Sequence, residues 1–158
     1  MPGEFNEIYV NLLDSRFVRS LMHSFYDKTG MVVGFKNLDG SFLGDSVFEE
    51  KGYQPNPFCE QIYSRPPHDL DCKREAIKMV NKAVLSGKKE AVVYVCHAGL
   101  IDLVVPVYIK NTHIANLVTG QVRCTREGEE NFKKKLKCFP KKIRKQLTAL
   151  YSATRFFI

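Results

Sequence analysis

The feature that most constrains this chain is a pair of short apolar, β-branched segments, residues 91–95 and 103–109, separated by a polar corner. Segments of this kind are typical of adjacent buried strands joined by a tight connection. Four residues with functional potential lie in or beside the corner: Cys96, His97, Gly99 and Asp102. Because a buried polar group must be hydrogen-bonded, this density of polar side chains indicates a functional site.

The strand pattern extends well beyond the corner. We predict five strands, at residues 31–38, 41–48, 91–97, 100–110 and 113–123. Asp39-Gly40 predicts an antiparallel hairpin between the first two strands, and Asn111-Thr112 predicts a hairpin turn between the last two.

Helical spacing of apolar residues accounts for most of the remaining chain. It predicts a helix at residues 7–28, a loop or short helix at residues 58–63, a helix that ends at Ser86-Gly87, and helices at residues 127–136 and 143–157. Asp69 or Asp71 is expected to cap the third of these, with Cys72 in its first turn. Together these elements predict an α+β fold, a five-stranded antiparallel sheet with flanking helices, whose order is compatible with a PAS-like sensor.

Length and composition narrow the class of protein. At 158 residues the chain is predicted to form one domain that needs no metal or disulfide to hold its core together. No run approaches about 18 consecutive apolar residues, and the first ten residues lack the pattern of a signal peptide. We therefore expect a cytoplasmic protein with no membrane contact, whose five cysteines are reduced thiols or metal ligands.

The net charge of +7 is concentrated in the C-terminal part. From residue 123 onward there are eleven Lys or Arg residues and three Glu. This pattern is typical of a solvated helix face, or of contact with nucleic acid or an acidic partner. Direct nucleic-acid binding is disfavoured, because aromatic and basic residues are not interleaved as a stacking platform requires.

Three cysteines predict a shared site. Cys59, Cys72 and Cys96 each lie at the boundary of a predicted element, and such boundaries can converge at one end of a sheet. If they bind a metal, soft sulfur ligands favour zinc or an iron–sulfur cluster, with Cys124 or His97 as the fourth ligand. In a continuous strand, however, His97 would point to the face opposite Cys96, and only a bulge or turn at the corner would let both reach one metal. The alternative is a purely structural role, in which these cysteines are small buried hydrophobic residues.

A second set of residues predicts a small-molecule pocket. A buried Asp102 needs a donor, which His97 or a ligand hydroxyl can supply, and the amide of Gln121 offers both a donor and an acceptor. Phe58 and Tyr94 are candidates for the pocket wall, although aromatic residues at such positions usually form plain core. Adjacent residues of a strand face opposite sides, so Cys96 and His97 would not form the direct hydrogen bond of a nucleophile–base dyad. We therefore do not expect an enzyme.

A compound motif carries a family resemblance. Its parts are Phe58-Cys59, Cys72, Ser86-Gly87-Lys88, Tyr94-x-Cys96-His97-Ala98-Gly99-Leu100-x-Asp102, Pro106 and Gly120-Gln121-Val122. With this motif, residues 7–124 resemble the PocR sensory domain family, although Ala115-Asn116 stands where that family usually has glycine. The family's characteristic polar positions are matched by Cys59, Cys72, Cys96, His97, Asp102 and Gln121.

The resemblance implies a sensor. Family members are PAS-like modules of bacterial and archaeal regulators, often joined to DNA-binding, kinase or cyclic-nucleotide output domains, and they bind small hydrocarbon derivatives such as diols. It implies a sensory domain at residues 1–125, followed by a basic helical segment at residues 126–158 that belongs to the same unit or acts as a signalling helix. We expect a homodimer that passes ligand occupancy to an output domain or partner. A metal- or cluster-based redox sensor is the alternative.

Overall fold

The predicted α+β class is confirmed. The computed structural model describes residues 11, 15–40, 56–85, 87, 90–123 and 126–156. Within these residues the helices are α1 (Arg16–Thr29), α2 (Pro57–Tyr63), α3 (His68–Leu85), α4 (Arg126–Lys137) and α5 (Lys141–Ala153). The strands are β1 (Gly34–Lys36), β2 (Val92–Val95), β3 (Leu100–Ile109) and β4 (Thr112–Arg123).

The described strands form one antiparallel sheet in the order β1-β4-β3-β2. Long strands β3 and β4 form its centre, so the polar corner that joins β2 to β3 lies at the end of a central strand. The predicted strand at residues 41–48 and its hairpin lie outside the described residues. The described part of the sheet therefore has four strands.

The β3–β4 turn lies one residue earlier than predicted. Ile109 pairs with Thr112, so Lys110 and Asn111 form the turn, with Lys110 in the left-handed conformation at φ 54°. Thr112 is β-branched and favours extended backbone, which explains why the strand already begins there.

Two predicted helix ends were wrong. Helix α3 begins at His68, so Asp71 lies inside the helix, where its carboxylate accepts a hydrogen bond from Lys135 of α4 at 2.8 Å. Helix α5 ends at Ala153 and not at residue 157. The N–H of Arg123 donates to the carbonyl of Arg155 at 2.7 Å, and this pairing to the end of β4 holds the following backbone extended.

A hydrophobic core joins the corner to the C-terminal helices. The rings of Phe132 and Tyr151 stack with centroids 3.9 Å apart, and Phe58 meets both edge-on. Leu100 and Leu147 are fully buried in the same cluster. Residues of α4 and α5 therefore share one core with the sheet. None of the helices in the described part of the chain combines the length and apolar content needed to cross a membrane.

Candidate functional site

A cavity of about 360 Å³ lies between the sheet and helices α2 and α3. Its apolar wall comes from both layers: Val32, Ile62, Ala76, Leu103, Val104 and Val118. Charged or polar side chains from five elements and the corner also face it: Lys36, Glu75, Tyr94, His97, Asp102 and Gln121. The cavity thus combines an apolar wall with a small number of convergent polar groups, which is typical of a small-molecule site.

The corner is a closed turn. The N–H of Cys96 donates to the carbonyl of Leu100 at 2.7 Å, and the N–H of Gly99 donates to the carbonyl of Cys96 at 2.9 Å. Strand alternation does not apply inside a turn, so Cys96 and His97 both line the cavity. The opposite orientation expected for a continuous strand therefore does not apply here, because the corner is the turn that would let both side chains face one side.

Helix α3 holds the corner from the other layer. The carboxylate of Glu75 accepts a hydrogen bond from the backbone N–H of His97 at 2.7 Å. Burial raises the pKa of Glu75, and this hydrogen bond opposes the shift. Sequence reasoning missed Glu75, because nothing along a helix indicates which residue faces a corner formed more than twenty positions later.

Asp102 lies beside a bulge in β4. The pairing of β3 with β4 shifts between Ile101 and Asp102. Opposite them, Gly120 has φ 123°, and a Cβ there would lie 2.6 Å from the carbonyl oxygen of Ile101. Gln121 then takes a left-handed conformation at φ 58°, and its N–H donates to Asp102 Oδ1 at 3.2 Å. Burial nevertheless raises the pKa of Asp102 to about 6, because one backbone hydrogen bond does not replace water.

Lys36 is a charged residue that sequence reasoning missed. Its side chain is only 8% exposed and faces the cavity from β1. Burial lowers the pKa of Lys36, while the nearby carboxylate of Asp102 opposes that shift. The available signal was a lysine inside a short apolar strand, since a charge there must be paired or must serve a site.

The three predicted thiols line the same cavity. Burial raises the pKa of Cys59, Cys72 and Cys96, and that of Cys72 reaches about 12, so all three are neutral at pH 7. Cys72 Sγ lies 3.1 Å from His97 Nε2, and burial lowers the pKa of His97 to about 4. The pair is therefore a neutral thiol beside a neutral imidazole.

The described residues do not fit a metal site. Within that part of the chain, no three His, Cys, Asp or Glu side chains are arranged to hold a metal ion. Cys124, the suggested fourth ligand, lies outside the described residues. Zinc and iron–sulfur binding therefore remain predictions from sequence alone, and no function below depends on them.

Two candidate ligand residues also have structural partners. Phe58 is fully buried in the core behind the cavity and is not part of its lining. Gln121 lines the cavity, but its side-chain Oε1 accepts a hydrogen bond from the N–H of Asn56 at 3.3 Å. Gln121 also lines a second cavity of about 290 Å³, between β4 and the ends of α1 and α5. Gln121 therefore borders both cavities.

Comparison with known proteins identifies one family. Residues 11–156 match the family described as a sensory domain found in PocR. The chain is also 26% identical over 122 residues to the regulatory protein PocR of Salmonella typhimurium (strain LT2). That match covers 77% of this chain but only 38% of the relative, so the chain corresponds to less than half of that protein. No solved structure matches the chain.

Proposed function

Because this chain belongs to the family of sensory domains found in PocR, we propose that it senses a small hydrocarbon-derived molecule, such as a diol or another alcohol. The molecule would bind in the 360 Å³ cavity. Binding would be reported to an output domain or partner regulator in the cytoplasm, by a homodimer of this domain. The domain would act by binding and would not catalyse a reaction.

The observation that carries this proposal is the composition of the cavity. Its volume is at the small end of the range for ligand pockets, which is about 300–1,000 Å³. Apolar side chains of α3, β3 and β4 can cover a short carbon chain, while Asp102 offers a carboxylate to a ligand hydroxyl. Burial of one Lys and two acids around the same space favours a neutral ligand with hydroxyl groups over a carboxylate.

The contact between Cys72 and His97 does not favour catalysis. A nucleophilic thiol needs a lowered pKa or a base able to take its proton. Here burial raises the pKa of Cys72 to about 12 and lowers the pKa of His97 to about 4. Both shifts oppose a thiolate–imidazolium pair, so this contact supports a structural or ligand-facing role.

We expect small diols to raise the melting temperature of the domain, because a ligand that binds only the folded state stabilises it. A panel of alcohols, diols, polyols and matched carboxylates, measured by thermal shift, tests the proposal. Ala76→Leu, which extends a buried side chain of the cavity lining, should abolish the response. Ala149→Leu, on the exposed side of α5, is the matched control and should leave it intact. Failure of every hydroxylated compound to stabilise the wild-type domain would contradict the proposal.

A chain of hydrogen bonds supports a route from the cavity to the C-terminal end. Gln121 contacts Asp102 through its N–H, and its carbonyl accepts from Asn56 Nδ2 at 2.9 Å. The same Asn56 Nδ2 lies 3.3 Å from Thr154 Oγ1, just after α5. Arg155 follows, and its guanidinium donates to the carbonyl of Thr29 at the end of α1. A ligand that repositions Asp102 would therefore act on the ends of both α1 and α5.

We expect Asn56→Asp to uncouple binding from the C-terminal end. The substitution keeps the oxygen that accepts from the N–H of Phe58 and caps α2, and it keeps the backbone N–H that donates to Gln121 Oε1. It removes the side-chain donor to the carbonyl of Gln121. In the wild type, ligand should slow hydrogen–deuterium exchange at residues 150–156, and in the variant this effect should be lost while affinity is retained. Thr148→Ala removes a hydrogen bond within α5 alone and serves as the control. Equal ligand protection in the wild type and Asn56→Asp would exclude this route.

A further inference from the structure

A lysine surface lies where α4 ends and α5 begins. Each helix carries the pattern Lys-Lys-x-x-Lys there, and all six lysines of the lysine surface are exposed: Lys133, Lys134, Lys137, Lys141, Lys142 and Lys145. Among the residues that the structure describes, none of the six forms an ion pair. Six exposed cations without carboxylate partners among the described residues therefore flank the turn between α4 and α5.

The turn between the two helices is held firmly. Arg144 Nε donates to the carbonyl of Phe139 at 2.8 Å, and its other nitrogen donates to the carbonyl of Lys137 at 3.1 Å. Phe139 is itself buried in the core. The arginine thus caps the end of α4 from α5, so the two lysine triplets keep a fixed relative position.

The helix dipole of α5 disfavours the two lysines in its first turn. Lys141 and Lys142 occupy the first turn, where the helix dipole is positive, and that turn contains no acidic residue. The N-cap residue, Pro140, makes no side-chain capping bond. Helix stability therefore does not explain these lysines, whereas an external anion would be attracted by the lysines and by the dipole together.

We propose that the lysine surface binds the phosphate backbone of duplex nucleic acid, as an activity separate from ligand sensing in the cavity. Lysine is depleted in protein–protein interfaces, where aromatic residues, Met and Arg are enriched, so an acidic protein partner fits this surface less well. The aromatic residues of α4, α5 and the turn between them are all buried: Phe132, Phe139 and Tyr151. Single strands need exposed aromatic residues for base stacking, which leaves a duplex as the partner.

The chemistry of the surface predicts binding without sequence preference. Lysine ammonium groups contact phosphates, and such contacts position a protein on a duplex without reading its bases. Neutralising about six phosphates should make log K fall with log salt concentration with a slope of about −5. Sequence reasoning disfavoured nucleic acid by considering stacking platforms alone. Both triplets are visible in the sequence, but only the structure shows that Arg144 links the helices that carry them.

Fluorescence anisotropy with a labelled duplex of arbitrary sequence, titrated at several salt concentrations, tests this proposal on the full chain. The triple variant Lys141→Gln, Lys142→Gln, Lys145→Gln should weaken binding by tenfold or more and reduce the salt slope by about 3. A control triple variant of three exposed lysines elsewhere, Lys28→Gln, Lys82→Gln and Lys110→Gln, removes the same charge and should leave most of the affinity. Circular dichroism verifies that both variants remain folded.

Three results would overturn the proposal. The first is absence of duplex binding by the wild type at low salt. The second is equal loss in the two triple variants, which would reduce the effect to net charge. The third is equally tight binding of polyglutamate, which would assign the surface to acidic polypeptides. None of these results depends on the cavity, so the proposed sensing function is tested separately.

Discussion

Gly99→Ala is expected to destabilise the domain by about 3–5 kcal/mol, because it combines backbone strain with overpacking. Gly99 has φ 94°, a conformation that L-residues with a side chain rarely adopt. An alanine Cβ would lie 2.2 Å from the carbonyl oxygen of Gly128, and 2.9 Å from the backbone nitrogen of Phe132. The hydroxyl of Tyr151 also donates to the carbonyl of Gly99 at 3.1 Å, so the corner cannot easily move away from α4.

Gly87→Ala is the matched control for this prediction. Gly87 also has a positive φ, of 65°, but a Cβ there would meet nothing within 4 Å. Gly87→Ala should therefore lower the free energy of unfolding by only about 1–2 kcal/mol, through backbone strain alone. Urea unfolding of both variants measures the two free energies. If both variants lose the same small amount, close packing of the corner against α4 is not what requires glycine at position 99.

Asp102→Asn is expected to stabilise the ligand-free domain by about 2 kcal/mol at neutral pH, and to weaken ligand binding about tenfold to a hundredfold. Burial of the carboxylate raises the pKa of Asp102 from 3.8 to about 6. Ionising it in the folded state therefore costs stability, and the nearly isosteric amide removes that cost. The amide still offers an oxygen to the N–H of Gln121, but it lacks the charge that strengthens a bond from a ligand hydroxyl.

The sign of the pH dependence follows from proton binding. Between about pH 4 and pH 6 the folded domain holds a proton on Asp102 that the unfolded chain releases, so this residue makes stability fall as pH rises through that window. His97 acts in the opposite direction: burial lowers its pKa to about 4, so the unfolded chain binds the extra proton and stability rises with pH. The two effects oppose each other in the wild type.

The difference between the wild type and Asp102→Asn reports the Asp102 carboxylate together with its attraction to Lys36, since that carboxylate favours the charged form of the buried lysine. The difference in the free energy of unfolding should be small near pH 4 and should reach its full value above about pH 7. Urea unfolding across this range, together with ligand titration by calorimetry, provides the measurement. A variant that is less stable than the wild type at every pH would show that the carboxylate is held by favourable interactions, contrary to this account.

Local patterns were sufficient to predict most elements of the fold. Apolar, β-branched runs and turn signals predicted the strands of the described sheet, and helical spacing predicted α4 within one residue of its observed bounds. Residues 58–63, predicted as a loop or a short helix, lie in α2. The end of α5 was wrong because pairing of Arg123 with Arg155 is a contact across more than thirty residues. A contact between residues so far apart in the chain cannot be predicted from a local pattern of residues.

The candidate site also has one part that the sequence predicts and another that depends on the tertiary structure. The sequence alone determined that a polar corner with Cys96, His97 and Asp102 follows a short apolar strand, since residue type and spacing are local properties. The prediction that this strand is buried was wrong, because β2 lies at the edge of the described sheet and has no buried residue. Only the tertiary structure decided what faces that corner. Lys36 and Glu75 reach the cavity from other elements because of sheet order and helix packing. Those arrangements depend on contacts between distant residues, which neither periodicity nor spacing along the chain records.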